Sequence, residues 1–425
     1  MRIAIVGSGI AGLAAAWLLG RRHDVTLFER HQRPGMGAFN LDYPGTVQPA
    51  RIDVPLRAFN ASYYTSLIPL YRAAGVELER TDHAAGFTAA DGTTYFRYRN
   101  LRFPGGVTVP MLAGLHRLGT RYLAIARDAM RFLLRARNDL LNGSTDDLTI
   151  EEYLRQRGYS SAFANYMLLP AFASICTCSY AAVRAYPASI IIDFFTAGRF
   201  AGGLWRARHG ADDAIQQLLK NCATLHCSTG IDSIRRDATG VTLRREDGTE
   251  CRFDHVIVAA QANQAAGLVA TGEAEAADLL RRIRYERSEV VVHGDTALMP
   301  SQRRDWAPVN FFVDPGKTAP MANIWLNQIY PGLQGDPPLL QTWNPLREPA
   351  ANAVLGRAHF ERPVVDHASL AAIHTLQRLH RQPGRRIWYC GSYAMPGIPL
   401  LESAVRSAMD VTRTLGVDIP WQAAA

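Results

Sequence analysis

Residues 3 to 20 carry no charged side chain, and Arg21 and Arg22 follow at once. Eighteen uncharged residues reach the lower limit for a membrane-crossing helix. Arg2 followed by an apolar run and the small Ala14, Ala15 and Ala16 also has the outline of a secretory leader. The internal pattern points elsewhere. "RIAIV" is a short continuous apolar run, as in a fully buried strand. "AGLAAAWLLGRR" is an alanine-rich helical run, and "HDVTLFER" reads as a second strand ending in Glu29. Between the first two lie Gly7, Gly9 and Gly12, each of which would cost a membrane helix about 1 kcal/mol.

Strand, glycine turn, helix and strand are the setting that G-x-G-x-x-G requires to bind a dinucleotide. Gly7 permits the tight turn, Gly9 lets a pyrophosphate approach the backbone, and Gly12 lets the helix pack close to the strand. Free N–H groups at the helix start, around Ile10 and Ala11, face the phosphates. Glu29, 20 residues after Gly9, is placed to accept ribose hydroxyls. A carboxylate there repels a 2′-phosphate, so NADP is disfavoured and NAD and FAD remain.

Further along, "STGIDSIRRDATGVTLRREDGTECRFDHVIVAAQANQAAGLV" reads as a β-meander returning to a parallel strand over 256–259. "RRIWYCGSYAMPGIPLLESAVRSAMDVTRTLG" reads as a strand over 387–390, a glycine turn and a helix from about Leu400. "TIEEYLRQRGYSSAFANYMLLPAFASI" starts after an Asp/Thr capping signal and marks a helix-rich region. "SEVVVHGD" and "MANIWLNQI" are strand-like. "RLGTRYLAIARDAMRFLLRARNDLL" is a basic amphipathic helix in which Arg117, Arg121, Arg127, Arg131, Arg135 and Arg137 alternate with Leu, Ile, Met and Phe. Such a helix ordinarily lays its apolar face on a core; it also suits a lipid headgroup layer, a peripheral membrane contact.

The 425 residues suggest two to three domains. With 48% hydrophobic and 20% charged residues the chain is a globular protein with a real core. The net charge of +8 favours anionic substrates or a membrane surface. No dense basic run is interleaved with aromatics, so a nucleic-acid partner is not expected. The six cysteines form no C-x-x-C pair and no zinc spacing, which implies reduced thiols in a cytoplasmic protein and no metal site.

The stretch "VTLFERHQRPGMGAF" resembles the extended FAD fingerprint, in which an R-x-G-G turn follows the acid; here Gly35-Met36-Gly37 stands in that turn. The meander resembles the second FAD segment of the flavin amine-oxidase-like superfamily, and "CGSYAMPGIPLLESAVRSA" resembles its closing motif. "WAPVNFF", "IWLNQIYP" and "LLQTWNP", in that order, resemble bacterial FAD-binding proteins often encoded beside cyclopropane-fatty-acid synthase. The resemblance implies FAD as cofactor. It assigns Gly7, Gly9, Ile10, Ala11, Gly12, Glu29, Arg30, Gly35, Gly37, Arg57, Ile231, Ala259, Gly391, Ser392, Pro399 and Leu400 to cofactor binding. Ile231 would meet the adenine, and the helix after Leu400 would face the flavin pyrimidine.

The expected fold class is therefore α/β. A discontinuous Rossmann-type FAD-binding domain over 1–75, 205–265 and 385–425 would be joined to a mixed α+β substrate domain over 76–204 and 266–384. Only one G-x-G-x-x-G occurs, so a second dinucleotide domain for NADPH is not expected. Amine oxidases of this superfamily place a lysine near the flavin, on a strand that corresponds to "RSEVVVHGDT". That strand has none; Lys220 and Lys317 lie elsewhere. His293 stands near the expected position as a candidate acid or base, with Asp295 either orienting it or capping a turn. Tyr393, beside the flavin in the closing turn, is the second catalytic candidate, and Cys176 and Cys178 are expected in the core. The leading functional expectation is an FAD-dependent oxidoreductase of oxidase or desaturase type acting on an apolar, lipid or acyl-chain substrate. A flavin-dependent double-bond isomerase, an amine oxidase and a non-catalytic FAD-binding partner of a lipid-modifying enzyme are its rivals.

Overall fold

The computed structural model describes the chain except for residues 47, 83, 103–107, 114–118, 197–202, 270 and 423–425. Arg117 lies outside the described residues. The apolar run at the start becomes strand Arg2–Val6, the middle of a five-stranded parallel sheet. Its neighbours are Asp24–Phe28 on one side and His255–Val258 on the other, with Thr224–His226 and Ile387–Tyr389 at the edges. Ile3, Ala4 and Ile5 are fully buried, which is why the strand reads as a continuous apolar run rather than an alternating one.

Helix Ile10–Leu19 follows, and all ten of its residues are buried. It packs against helix Leu401–Thr414 on one side and Gly210–Leu219 on another. Enclosure on all sides, not a bilayer, accounts for its lack of charge. Among the described residues no helix is long and apolar enough to cross a membrane.

The expected meander is present as three antiparallel strands, Ile231–Arg236, Val241–Arg245 and Glu250–Phe253, delivering the chain to His255–Val258. Helices Ala274–Arg281 and His367–His380 fall inside the sequence insertions, yet they pack against the parallel sheet: Leu279, Leu280, Ile373 and Leu376 share a core with Val256, Val258 and Ile387.

A second, eight-stranded sheet is built from the rest, in the order 354–363, 285–293, 340–343, 321–325, 309–313, 85–89, 94–102 and 108–113. It is antiparallel except where Val309–Val313 runs parallel to Ala85–Ala89. The first insertion, read from sequence as helix-rich, thus also supplies three strands to this sheet. Its helices form a separate cluster around Phe132, Tyr153, Phe163, Phe172 and Tyr186. There Thr149 and Glu152 close a reciprocal capping box on helix Ile150–Gln156, and Cys176 and Cys178 are buried.

Candidate cofactor and substrate cleft

The glycine loop is shaped by contacts that leave no choice of residue at two positions. Gly7 has φ +104°, and a Cβ there would come within 2.9 Å of the Ala259 carbonyl. A Cβ on Gly12 would lie 2.0 Å from the Gly7 carbonyl oxygen, so helix and strand pack backbone to backbone. Gly9 differs: a Cβ on it would meet nothing within 4 Å. Gly9 faces open space at the start of helix Ile10–Leu19, where the first N–H groups lack intrahelical acceptors.

That space is a cleft of about 240 Å³. Gly9, Ile10 and Ala11 line it from the first segment, Ala259 from the second, and Gly391, Ser392, Tyr393, Pro399 and Leu400 from the third. Three stretches far apart in sequence therefore meet on one cavity. Leu400 precedes helix Leu401–Thr414, so a second helix N-terminus opens on the same cleft.

Glu29 is 5% exposed, at the end of the second strand. Its carboxylate accepts the Ser8 backbone N–H at 3.0 Å, the Ser8 hydroxyl and the His31 N–H at 2.9 Å. Ser8 Oγ in turn accepts the Gly35 N–H at 2.7 Å. The acid thus ties the glycine loop to the single 3₁₀ turn Gly35–Gly37, and it keeps a lone pair for a ribose hydroxyl. Arg57 donates to the Met36 carbonyl at 2.6 Å and the Pro55 carbonyl at 3.2 Å, holding that turn from behind. Arg30 is exposed, and Ile231 is buried at the start of the meander.

The two catalytic candidates part company. Tyr393 lines the cleft with its ring against Gly391; its hydroxyl has no hydrogen-bond partner, and burial pushes its pKa up. His293 is not brought to the cleft. In the eight-stranded sheet Gln341 faces Val292, and its side chain bonds the backbone of Asp53 and Leu56, next to Arg57. His293 is on the opposite face, because strand side chains alternate. There it donates from Nε2 to Thr342 Oγ1 at 2.7 Å, and its Nδ1 accepts the Asp295 N–H at 3.1 Å. Thr342 donates onward to Asn323, which fixes this tautomer. Burial depresses the His293 pKa to about 4. Asp295 caps a turn, accepting from Ala297 and Ala350. His293 is a neutral, fully bonded part of the sheet.

The face of this sheet turned to the cleft carries residues that the sequence did not single out. Arg362 and Phe360 line the cavity from strand Val354–Pro363. Phe360 packs against Trp343, with ring centroids 5.7 Å apart, and Arg362 lies 6.0 Å above the Trp343 ring. Among the described residues no carboxylate pairs with Arg362. Burial draws its pKa down, and the Arg57 guanidinium adds to that. Strict alternation along "GRAHFERP", with Phe360 and Arg362 two apart, is the signal that could have found them.

A parallel sheet with a glycine turn, a buried acid after its second strand and two helix N-termini on one cleft defines a dinucleotide-binding flavoprotein. The cleft fits FAD: Gly9 leaves the space, the second helix start opens on it, and Glu29 braces the glycine loop through Ser8. The sequence matches the flavin-containing amine oxidoreductase family over residues 10–327, and the chain belongs to that family. FAD is its cofactor. Comparison with curated protein sequences gives no match. Among solved structures, it is similar to the CLA-producing fatty acid isomerase from P. acnes, with 16% identity, a TM-score of 0.67 and 97% and 98% of the two chains covered. It is similar as well to cyclohexylamine oxidase from Brevibacterium oxydans IH-35A, with 14% identity, a TM-score of 0.63 and 98% and 99% covered. A redesigned putrescine oxidase gives 14%, 0.63, and 98% and 99%. At these identities the likeness is one of fold.

Proposed function

We propose that this flavin-dependent oxidoreductase oxidises an apolar acyl-chain substrate that carries a negative charge at one end. The observation that supports this reading is Arg362: a guanidinium on the cleft wall with which no carboxylate among the described residues forms an ion pair. An amine substrate would bring a second cation beside it, which costs energy in a partly desolvated site. A carboxylate would gain a charge-assisted bond. Phe360, Tyr285, Tyr393 and Leu400 offer apolar surface to the remaining chain. Neither lysine is on the cleft wall: Lys220 caps helix Gly210–Leu219, and Lys317 lines a separate surface pocket.

FAD, when bound, supplies a two-electron acceptor for a C–H hydride. The chain's residues do the rest. Arg362 anchors the acid end, the aromatic wall orients the chain and excludes water, and the start of helix Leu401–Thr414 would offer a partial positive charge to a flavin held in the cleft. The six free thiols fit a reducing compartment, the cytoplasm.

Anaerobic mixing of the FAD-loaded protein with long-chain acids, their methyl esters and a panel of amines tests this. Bleaching of the oxidised flavin absorbance by the acids and not by the amines is the expected result. Bleaching by amines alone would overturn it. Acid turnover without bleaching and without an electron acceptor would replace oxidation with double-bond isomerisation.

A further inference from the structure

Helix Thr120–Leu141 buries Tyr122, Ile125, Asp128, Phe132 and Ala136 on its inner side. Its outer side should then be polar, and it is not. Leu123, Met130, Leu134 and Leu141 are 56%, 57%, 68% and 69% exposed. At 3.6 residues per turn these four positions fall within about 40° of one another, in a straight stripe roughly 27 Å long. Ten large hydrophobic side chains are exposed among the described residues, and four of them form this single line. Scattered exposed leucines need no explanation, but a contiguous stripe marks a contact surface.

Charge identifies what it contacts. Arg127, Arg131 and Arg135 run along one flank of the stripe and Arg137 along the other. Arg127 and Arg131 lean on the buried Asp128, Arg131 also stacking on Tyr159, and Arg137 reaches Asp193, so each is held at the helix surface. Arg135 is exposed, and no carboxylate among the described residues pairs with it. The helix's two acids, Asp128 and Asp139, are turned inward, Asp139 to Tyr153 and Arg157. A second copy of the chain would set these arginine rows against each other. An anionic headgroup layer would meet them with phosphates while its acyl boundary received the leucines.

We propose that helix Thr120–Leu141 lies flat on an anionic phospholipid surface, with Leu123, Met130, Leu134 and Leu141 inserted and the flanking arginines on the phosphates. Its apolar face is thus doubled, one stripe for the protein core and one for the bilayer. The inference stands apart from the substrate reading, because its test measures binding and not turnover.

Co-sedimentation of the FAD-loaded full chain tests it, with vesicles of phosphatidylcholine alone and of phosphatidylcholine mixed with phosphatidylglycerol. Binding to the mixed vesicles, weak binding to the neutral ones and release by salt are expected. The double variant Met130→Ser/Leu134→Ser should lose about tenfold or more in vesicle affinity. Both side chains are exposed, so flavin absorbance and the melting temperature should stay those of the wild type. Equal binding of variant and wild type would overturn the proposal. So would a wild-type dimer, seen by light scattering without vesicles, that the variant converts to monomer.

Discussion

The carboxylate of Glu402 accepts the backbone N–H of Ser66 at 2.9 and 3.0 Å and that of Leu67 at 3.0 Å. An acid in the first turn of the last helix therefore caps helix Leu67–Ala74, 336 residues earlier in the chain. Glu402 is 2% exposed, and the last helix opens on the cleft lined by Gly9 and Tyr393. One side chain thus fixes where that helix begins.

Glu402→Ala should therefore lower the stability of the FAD-loaded protein by about 2–3 kcal/mol, since it leaves buried donors without an acceptor. Glu402→Gln, which keeps one acceptor oxygen, should cost less. Urea denaturation followed by tryptophan fluorescence measures both. An alanine variant within error of the wild type would show that water replaces the carboxylate.

Gly9 and Gly12 should respond in opposite ways. Gly9→Ala puts a methyl group into empty space, so the apoprotein should keep its melting temperature while FAD affinity drops about tenfold, some 1.4 kcal/mol. Gly12→Ala drives a methyl group into the Gly7 carbonyl, so the fold itself should suffer, by about 1–3 kcal/mol of overpacking. Thermal melts of apoprotein, paired with flavin titration, separate the cases. Retention of full FAD affinity in Gly9→Ala would mean the pyrophosphate does not pass over Gly9.

The glycine turn and its buried acid were legible because their demands are local. Gly7, Gly9, Gly12 and Glu29 announce themselves by backbone conformation and spacing within one short stretch, and "GSYAMPGIPLLESA" does so again. The substrate end was not. His293 and Arg362 are both polar residues on apolar strands, and sequence periodicity does not say which face of a sheet turns toward a ligand. That is decided by register, which sets Arg362 opposite Glu286 and Gln341 opposite Val292. A one-residue slip would have exchanged the two. The doubled apolar face of Thr120–Leu141 was hidden for a similar reason, since alternation with arginine reads as one amphipathic face until burial shows two.

His293 has a measurable consequence in pH dependence. Its pKa is about 4 in the folded protein, against roughly 6.5 in an unfolded chain. Asp295 and Arg357 act on it in opposite senses, and burial dominates. His380, whose Nε2 accepts the Tyr389 N–H at 3.1 Å, is likewise held down, to about 3. Below pH 6.5 the unfolded chain takes up protons that the native protein refuses, so stability falls as pH drops toward 4. Each histidine should contribute a loss of about 2 kcal/mol between pH 7 and 5. In His293→Gln the fall in unfolding free energy between pH 7 and 5 should shrink by about 2 kcal/mol. Turnover should persist in that variant. A variant with the full wild-type slope would show that His293 titrates normally, and abolished turnover would return it to the active site.

Arg362 separates the two ends of the substrate. Arg362→Met keeps an unbranched apolar stem but removes the guanidinium and its charge. For acids, KM should rise about tenfold or more, as expected when one member of a partly buried charge pair is truncated. For the corresponding methyl esters, KM should change little, and kcat should hold for both. The acid-to-ester ratio isolates the charge from any general loosening of the cleft, which would move both substrates together. Flavin content is the control. If Arg362→Met instead loses FAD while the acid-to-ester ratio stays constant, the guanidinium holds the cofactor's phosphates, and the substrate's charged end must be sought elsewhere in the cleft.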